Sequence, residues 1–235
     1  MTTAPRLSKP GRPRAAGDHN TTLSSREQIL DAAAALFSEA GFAGSSTRAI
    51  ADRVGIRQQS LYYHFAGKDE ILAELLSESV RPSIEFVERI EARVPEEISP
   101  AGALFALAST DARTLRRAPH NIGTLYLLPE IQDPRYDTFR QERVQLRAIY
   151  GRLGAAAAHP EVAASISEER LGVILIQLAE VVIQLRREDE NNGMDDDASI
   201  ATSCLRVLGL STAEIAAARE ESSAITAPQG SAVGE

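Results

Sequence analysis

The sequence predicts an all-α protein, with short helices near the N-terminus and longer helices over the rest of the chain. Apolar residues recur at helical spacing from about residue 29 to residue 208. No stretch shows the alternating, β-branched pattern that is typical of a strand. Hydrophobic residues make up 43% of the 235 positions, which is enough for a core and excludes a wholly disordered chain.

Few residues suited to metal or covalent chemistry are present. The single cysteine, Cys204, excludes a disulfide framework and any multi-cysteine metal site. The four histidines are scattered without metal-ligand spacing, and the sequence has neither a phosphate-binding glycine loop nor a Gly-x-Ser-x-Gly motif. We therefore expect a protein that is not an enzyme and that needs no metal or cofactor.

The sequence also predicts a soluble, cytoplasmic protein that makes no use of a membrane. The N-terminus lacks the apolar run that a signal peptide requires. The longest apolar stretch, residues 172–185, is interrupted by three polar residues and is too short to span a bilayer.

Charge is distributed unevenly along the chain. Lysine and arginine outnumber aspartate and glutamate between Met1 and Lys68, although the whole chain has a net charge of -8. A basic N-terminal part on an acidic body favours contact between that part and a polyanion such as nucleic acid. Residues 1–23 are rich in Pro, Gly, Thr and Arg without periodic apolar residues, which predicts a flexible basic arm.

Four helices are predicted between residues 24 and 85. Ser24 with Glu27, or Ser25 with Gln28, fits a capping box that opens the first helix, and Gly41 suits a left-handed stop. Ser46 or Thr47 caps the second, which ends at Gly55. The third is expected from about residue 58 to 65, and the fourth opens at Lys68 after Gly67.

Helices are also expected over residues 101–117, 121–128, 135–158, 167–187 and 197–208. The acidic stretch 188–197 between the last two is interpreted as a solvated loop. These assignments divide the chain into an arm (1–23), an N-terminal domain (24–85), a C-terminal domain (86–222) and a disordered tail (223–235).

Residues 46–65 have the features of a helix–turn–helix motif. The small Ala51 permits two short helices to cross closely, Gly55 permits a positive φ in the turn, and Leu61 packs the second helix onto the first. Phe65 is expected in the core. The outer surface of the second helix is then polar and aromatic, which suits a helix that enters the major groove of DNA.

In these residues, the N-terminal domain resembles the TetR family of bacterial transcriptional regulators. The resemblance covers roughly residues 24–85 and rests on the segments 47–51, 54–56, 61–65 (Leu-Tyr-Tyr-His-Phe) and 68–70 (Lys-Asp-Glu). It implies double-stranded DNA as a partner and a C-terminal helical domain for ligand binding and dimerisation.

The resemblance also implies which residues contact DNA. Thr47 and Arg48 would meet phosphates, and Lys68 would do so at the start of the fourth helix. The remaining expected contacts come from the recognition helix: Arg57, Gln58, Gln59 and Ser60 at bases or nearby phosphates, and Tyr62, Tyr63 and His64 at the backbone. Gln59 departs from the small residue or proline common in relatives, which leaves open the bases that are read.

The arm offers a second, separate DNA contact. The segment 9–14 contains a Gly-Arg-Pro core similar to that of AT-hook segments, so Lys9, Arg12 and Arg14 are candidates for the minor groove. Pro10 stands where such segments usually carry an arginine. Non-specific attraction of these residues and Arg6 to phosphates is the alternative.

The helix predicted over 167–187 is apolar around most of its circumference, so it must be covered on two sides. A partner subunit on one side predicts a homodimer, and a central helix in a monomer is the alternative. In the TetR family the last two long helices form the dimer interface. The residues assigned to this interface are Leu171, Leu175, Leu178, Val182, Leu185, Cys204 and Leu208.

A small-molecule effector is expected in the C-terminal domain, as the resemblance implies. Few aromatic residues are available, which favours an aliphatic or acyl ligand. Pro82 either kinks the fourth helix as a hinge or ends and restarts it. The candidate pocket residues are Phe105, Tyr126, Phe139 and Tyr150, with Leu107, Leu125, Leu128 and Leu146, and for polar contacts Arg113, His120 and Gln177.

The sequence thus predicts a homodimeric, DNA-binding regulator, most simply a repressor that an effector releases from a palindromic operator. An activator, or a ligand-independent accessory protein of the nucleoid type, is the alternative.

Overall fold

A computed structural model describes residues 23–91, 98–188 and 196–226, and it is all-α, as predicted. The helices are α1 (Ser25–Gly44), α2 (Thr47–Val54), α3 (Gln58–His64), α4 (Lys68–Glu91), α5 (Pro100–Arg117), α6 (Asp137–Ala157), α7 (Pro160–Ser165), α8 (Glu168–Glu188), α9 (Asp196–Val207) and α10 (Thr212–Thr226). Short 3₁₀ turns at Ile122–Leu125, Pro129–Gln132 and Pro134–Tyr136 link α5 to α6. The described part of the chain has no strand, and none of its helices is long and apolar enough to cross a membrane.

The start of α1 has the predicted capping box. The Ser24 hydroxyl accepts a hydrogen bond from the Glu27 amide at 3.3 Å, and the Glu27 carboxylate accepts one from the Ser24 amide at 2.7 Å. Two backbone donors that a helix start leaves free are thereby satisfied. Gly41 adopts φ 74°, and the chain turns there before the last residues of α1.

The packing of α2 and α3 confirms the predicted helix–turn–helix core. Ala51 and Leu61 are fully buried where the two helices meet, and Phe65 is buried directly after α3. Gly55 ends α2 in the left-handed conformation (φ 78°, ψ 25°), which only glycine adopts without strain. The following amide, of Ile56, donates to the Ala51 carbonyl at 3.0 Å and closes the turn.

The long helix α4 connects the two halves of the molecule. It runs without interruption through Pro82, which is exposed, so the predicted end and restart of this helix does not occur. Its predicted apolar residues, including Ile71, Leu76 and Val80, are buried. The first turns of α4 pack on α1, and its later turns pack on α5 and α6.

In the C-terminal half, α5 packs on α4, α6, α8, α9 and α10, and α8 packs on α5, α6 and α9. The contact between α6 and α8 is close because glycines face each other across it. A Cβ atom added to Gly172 would lie 2.4 Å from the Arg147 carbonyl oxygen, and one added to Gly151 would lie 2.6 Å from that of Glu168. Larger residues would therefore force the two helices apart.

Two helices, α7 and α10, were not predicted from the sequence. Helix α10 packs on α5 and buries Ile215 and Ala218, and its Glu221 carboxylate accepts hydrogen bonds from the Ser99 amide and hydroxyl at 3.0 and 2.6 Å. It extends to Thr226, past the predicted boundary at residue 222. Its apolar face consists mostly of alanine, which gives a weak periodic signal.

The interpretation of residues 188–197 as a solvated loop is wrong at its end. Asp197 is buried in α9, and its carboxylate accepts hydrogen bonds from Arg116 at 2.8 Å and from Arg113 at 3.2 Å. These arginines of α5 compensate the cost of burying the charge. Residues 189–195 lie outside the described residues.

Candidate nucleic-acid interface

The outward face of α3 carries exposed aromatic side chains. Tyr63 is 88% exposed and Tyr62 is 50% exposed, while Leu61 between α2 and α3 is fully buried. The ring of His64 packs edge-on against Tyr63, with centroids 5.4 Å apart. Large exposed aromatic side chains cost solvation free energy, so this face is shaped for contact with another molecule.

Three predicted contact residues form a hydrogen-bonded cluster between α2 and α3. The Gln58 amide nitrogen donates to the Thr47 hydroxyl at 2.9 Å and lies 3.4 Å from the Tyr62 hydroxyl. The Thr47 and Tyr62 hydroxyls are 3.2 Å apart. These contacts hold the side-chain nitrogen of Gln58 in place. The side-chain carbonyl oxygen of Gln58 accepts no hydrogen bond from the described residues.

The other predicted contacts on this surface are open to solvent. Arg57 precedes α3, and Gln59 and Ser60 lie in its first turn, all exposed. Arg48 in α2 is exposed and lies 4.0 Å from Asp52, an ion pair of little energetic weight at such exposure. These four predicted contacts are therefore accessible to another molecule.

Lys68 is the first residue of α4, and its ammonium group already has protein partners. Its Nζ donates to the carbonyls of Phe42 and Ser45 at 3.0 and 3.2 Å, and it sits 4.3 Å from the centre of the Phe42 ring. The lysine thus ties the start of α4 to the α1–α2 connection. Sequence reasoning assigned only a phosphate contact to it and did not find this structural contact.

The candidate minor-groove residues Lys9, Arg12 and Arg14 lie outside the described residues.

The residues predicted at the dimer interface are mostly interior to one chain, which corrects that assignment. Leu171, Leu175, Val182, Cys204 and Leu208 are at most 1% exposed, because α5, α6 and α9 cover this face of α8. Leu178 and Leu185 are half-buried. The apolar residues left open on α8 and α9 are Val173, Val181 and Val207.

Most of the predicted pocket residues are interior to the C-terminal half. Phe105, Phe139 and Tyr150 are buried in the core, as are Leu107, Leu125 and Leu146. The half-buried Leu128 packs against that core. Gln177 is exposed on α8, where its side-chain amide donates to Glu180. The Tyr126 hydroxyl lies 2.8 Å from that of Ser79.

His120 and Arg113 instead line a cleft between the two halves of the molecule. This boundary cleft, of about 690 Å³, is lined by Leu23, Glu27, Leu30, Asp31 and Ala34 around α1, by Leu75, Glu78 and Ser79 of α4, and by residues 113–115, 117–120 and 122 from the end of α5 and the turn after it. Pockets of this volume accommodate small organic ligands.

Three polar contacts that sequence reasoning missed connect the first four helices to the chain that follows α5. The His120 Nε2 atom lies 3.2 Å from the Asp31 carboxylate of α1. The Tyr136 hydroxyl donates to the Asp69 carboxylate of α4 at 3.1 Å, and Arg135 pairs with the same oxygen at 3.2 Å. The partners are far apart in the sequence, so no local pattern could have identified them.

Comparisons with known proteins agree with this architecture. A family model described as bacterial regulatory proteins, tetR family, matches residues 29–75. The transcriptional repressor KstR2 of Mycobacterium tuberculosis is 48% identical over 63 residues, which cover 27% of this chain and 30% of that repressor. The match thus spans less than a third of that curated relative.

A solved structure gives a match over nearly the whole chain. The crystal structure of Mycobacterium smegmatis AmtR superposes with a TM-score of 0.75 and 36% sequence identity, covering 94% of this chain and all of that one. Since sequence identity and fold agree over 94% of this chain, the chain belongs to the TetR family of bacterial regulatory proteins.

Proposed function

We propose that this protein is a DNA-binding transcription regulator that places α3 in the major groove of a specific operator. The observation that carries the proposal is the outward face of α3, where Tyr62 and Tyr63 are exposed over a buried Leu61. Phosphate contacts by such aromatic hydroxyls fix the position of a recognition helix, and neighbouring polar side chains read the bases.

Within this proposal the α2–α3 cluster has a defined role. Thr47 and Tyr62 hold the Gln58 amide, so the side chain meets a base edge in one preferred conformation. Fixing a side chain before binding lowers the entropy cost of the contact. Arg48 and Arg57, both exposed, supply positive charge for the phosphates on either side.

We further propose a homodimer that binds a palindromic operator. Val173, Val181 and Val207, the exposed valines of α8 and α9, supply apolar surface for contact with a second copy. Two recognition helices held about 34 Å apart would reach successive major grooves on one side of the duplex.

Repression with release by a small-molecule effector is the proposed mode of regulation. The M. tuberculosis relative is itself called a transcriptional repressor. An effector would act by binding one arrangement of the two halves more tightly than the other, since equal affinity for both shifts nothing. The Asp31–His120 and Asp69–Tyr136 contacts are the links through which such a shift would reach α1 and α4.

Selection of bound sequences from a random duplex library by the purified full chain tests the DNA-binding proposal. We expect a palindromic motif with half-sites about one helical turn apart at near-physiological salt. Tyr63→Ala should weaken binding to the selected duplex, while Val144→Ala, an exposed residue of α6, should not. Weak enrichment without symmetry would instead identify an accessory DNA-binding protein.

A further inference from the structure

The side chain of Gln58, the first residue of α3, is turned towards Thr47, the first residue of α2. Its nitrogen donates to the Thr47 hydroxyl at 2.9 Å and, one turn along α3, to the Tyr62 hydroxyl at 3.4 Å. The two hydroxyls are themselves 3.2 Å apart. The three side chains of the α2–α3 cluster therefore contact one another in a closed triangle.

The supply of hydrogens decides which end of the Gln58 amide faces the two hydroxyls. A side-chain amide has two N–H hydrogens, and each hydroxyl has one. With the amide nitrogen facing the hydroxyls, each of the three contacts can contain a hydrogen. With the carbonyl oxygen facing them, the two hydroxyl hydrogens could serve only two of the three contacts. The triangle thus favours the orientation in which the nitrogen is engaged.

The carbonyl oxygen of Gln58 is left as a free acceptor. It shares a carbon atom with the nitrogen and points away from the two hydroxyls, and no described residue donates to it. Among the described residues, the side-chain polar atoms that are both buried and unpartnered belong to Ser109, Glu130 and Glu142. Solvent therefore reaches the Gln58 oxygen, and so could a hydrogen-bond donor of another molecule.

The major groove of DNA offers few donors to such an acceptor. Only the N6 amino group of adenine and the N4 amino group of cytosine donate there, while guanine and thymine present acceptors. Glutamine commonly pairs with adenine at two points, accepting from N6 and donating to N7. In this protein Thr47 and Tyr62 engage the Gln58 nitrogen, so only the one-point contact through oxygen is available.

We propose that Gln58 reads the amino group of a base through its carbonyl oxygen alone, accepting adenine or cytosine at one position of each half-site and discriminating against guanine and thymine. Thr47 and Tyr62 act as positioning residues, because they keep the amide nitrogen from adenine N7. This inference rests on the proposed function, since it requires α3 in the major groove of a specific operator.

Duplexes that differ at one base pair test the preference for amino groups. Library selection with the unmodified chain and with Gln58→Ala identifies the position that depends on Gln58. We expect adenine and cytosine on the same strand there to bind within about twofold of each other and about fivefold tighter than guanine or thymine, the effect of one uncharged hydrogen bond. Preference for adenine alone, for guanine or for thymine would overturn the inference.

Modified bases separate the one-point contact from the two-point contact. 7-Deazaadenine keeps the amino group but lacks the N7 acceptor, whereas purine keeps N7 but lacks the amino group. At the Gln58-dependent position we expect 7-deazaadenine to bind as adenine does and purine to bind about fivefold more weakly. Gln58→Ala is the control and should bind all three alike. A loss with 7-deazaadenine that Gln58→Ala abolishes would establish the two-point contact instead.

Thr47→Val tests whether the α2–α3 cluster holds the amide. Valine keeps the shape of threonine but not its hydroxyl, so the Gln58 nitrogen loses its 2.9 Å partner and is freed to donate to adenine N7. We expect the preference for adenine over cytosine to rise about fivefold. Thr47→Ser keeps a hydroxyl and should preserve the equal binding. Equal losses of affinity for both duplexes in Thr47→Val would contradict the positioning role.

The library selection distinguishes failure of this inference from failure of the proposed function. Enrichment without any specific motif would overturn both. A palindromic motif that Gln58→Ala leaves unchanged, or whose Gln58-dependent position accepts adenine alone, would leave the proposed function standing and overturn this inference only. A motif with adenine and cytosine interchangeable at that position, lost in Gln58→Ala, is the expected result.

Discussion

The phenol of Tyr150 in α6 donates a hydrogen bond of 3.0 Å to the Asp111 carboxylate of α5, in a part of the core without solvent contact. Ser83 of α4 donates to the other carboxylate oxygen at 2.9 Å. Helices α4, α5 and α6 therefore meet at the buried carboxylate of Asp111. Ser83, the contact from α4, directly follows Pro82. Burial raises the pKa of Asp111 by more than these two hydrogen bonds lower it.

This raised pKa gives stability a defined pH dependence. The folded protein holds the Asp111 proton to higher pH than the unfolded chain, so the contribution of this group is complete below its ordinary pKa of 3.8 and is lost as pH rises through the folded pKa. Asp111→Asn cannot ionise. We expect the free energy of unfolding of this variant, relative to the unmodified protein, to increase as pH rises above 3.8.

Urea denaturation across that pH range measures the effect. Asp31→Asn, on the exposed face of α1, is the control, and its difference from the unmodified protein should vary much less with pH. Asp111→Ala should destabilise the protein by about 3 kcal/mol below pH 3.8, because it leaves the Ser83 and Tyr150 hydroxyls buried without an acceptor, and this difference should shrink as pH rises, since alanine cannot ionise either. A pH-independent difference for Asp111→Asn would contradict this interpretation.

Arg48 should contribute to DNA affinity through charge alone. Its side chain is 82% exposed and only loosely paired with Asp52, so Arg48→Gln should leave stability unchanged within about 0.5 kcal/mol. Plotting the logarithm of the DNA association constant against the logarithm of salt concentration gives a negative slope. We expect this slope to become shallower by about 1 in the variant. Fluorescence anisotropy at several salt concentrations measures it, with Arg219→Gln of α10 as a control that keeps the original slope.

Gln58 should affect which sequences are bound rather than how tightly DNA is bound in general. Gln58→Ala removes a side chain that Thr47 and Tyr62 hold in place, and we expect a base-specific loss of about 1–3 kcal/mol at one position of each half-site. Repeating the library selection with the variant tests this. An unchanged preferred sequence would exclude Gln58 from base recognition.

Lys68 should stabilise the fold as well as the DNA complex. Lys68→Met removes hydrogen bonds to the Phe42 and Ser45 carbonyls and the contact with the Phe42 ring, at an expected cost of about 1–2 kcal/mol. Thermal denaturation measures this cost in the absence of DNA. Arg57→Met, at an exposed residue of the same surface, should not change stability, and equal stability of the two variants would show that Lys68 acts on DNA only.

The exposed valines of α8 and α9 should control dimer formation. Val181 is 40% exposed and Val207 is 42% exposed, so replacing either with lysine introduces a charge at the proposed interface without disturbing the core of one chain. We expect Val181→Lys to yield a monomer in sedimentation experiments. Val144→Lys, at an exposed valine of α6, should sediment as the unmodified protein does; a dimer that survives Val181→Lys would place the interface elsewhere.

The amino-acid sequence by itself determined the helix–turn–helix region, because its signals are local. The Ser24–Glu27 capping box, the left-handed Gly55 and the buried Leu61 each depend on neighbours within one or two turns. Tyr62 and Tyr63 are exposed for the same reason: once Leu61 is buried, helical geometry directs them outward.

Only the tertiary structure decided which face of each C-terminal helix is covered. Helix α8 is apolar around most of its circumference, so the sequence could not tell that Leu171 and Leu175 face α5, α6 and α9 while Val181 faces outward. The pairing of Asp197 with Arg113 and the meeting of α1 with His120 likewise join residues distant in sequence. Such contacts depend on how whole helices pack, and no spacing rule along the chain encodes them.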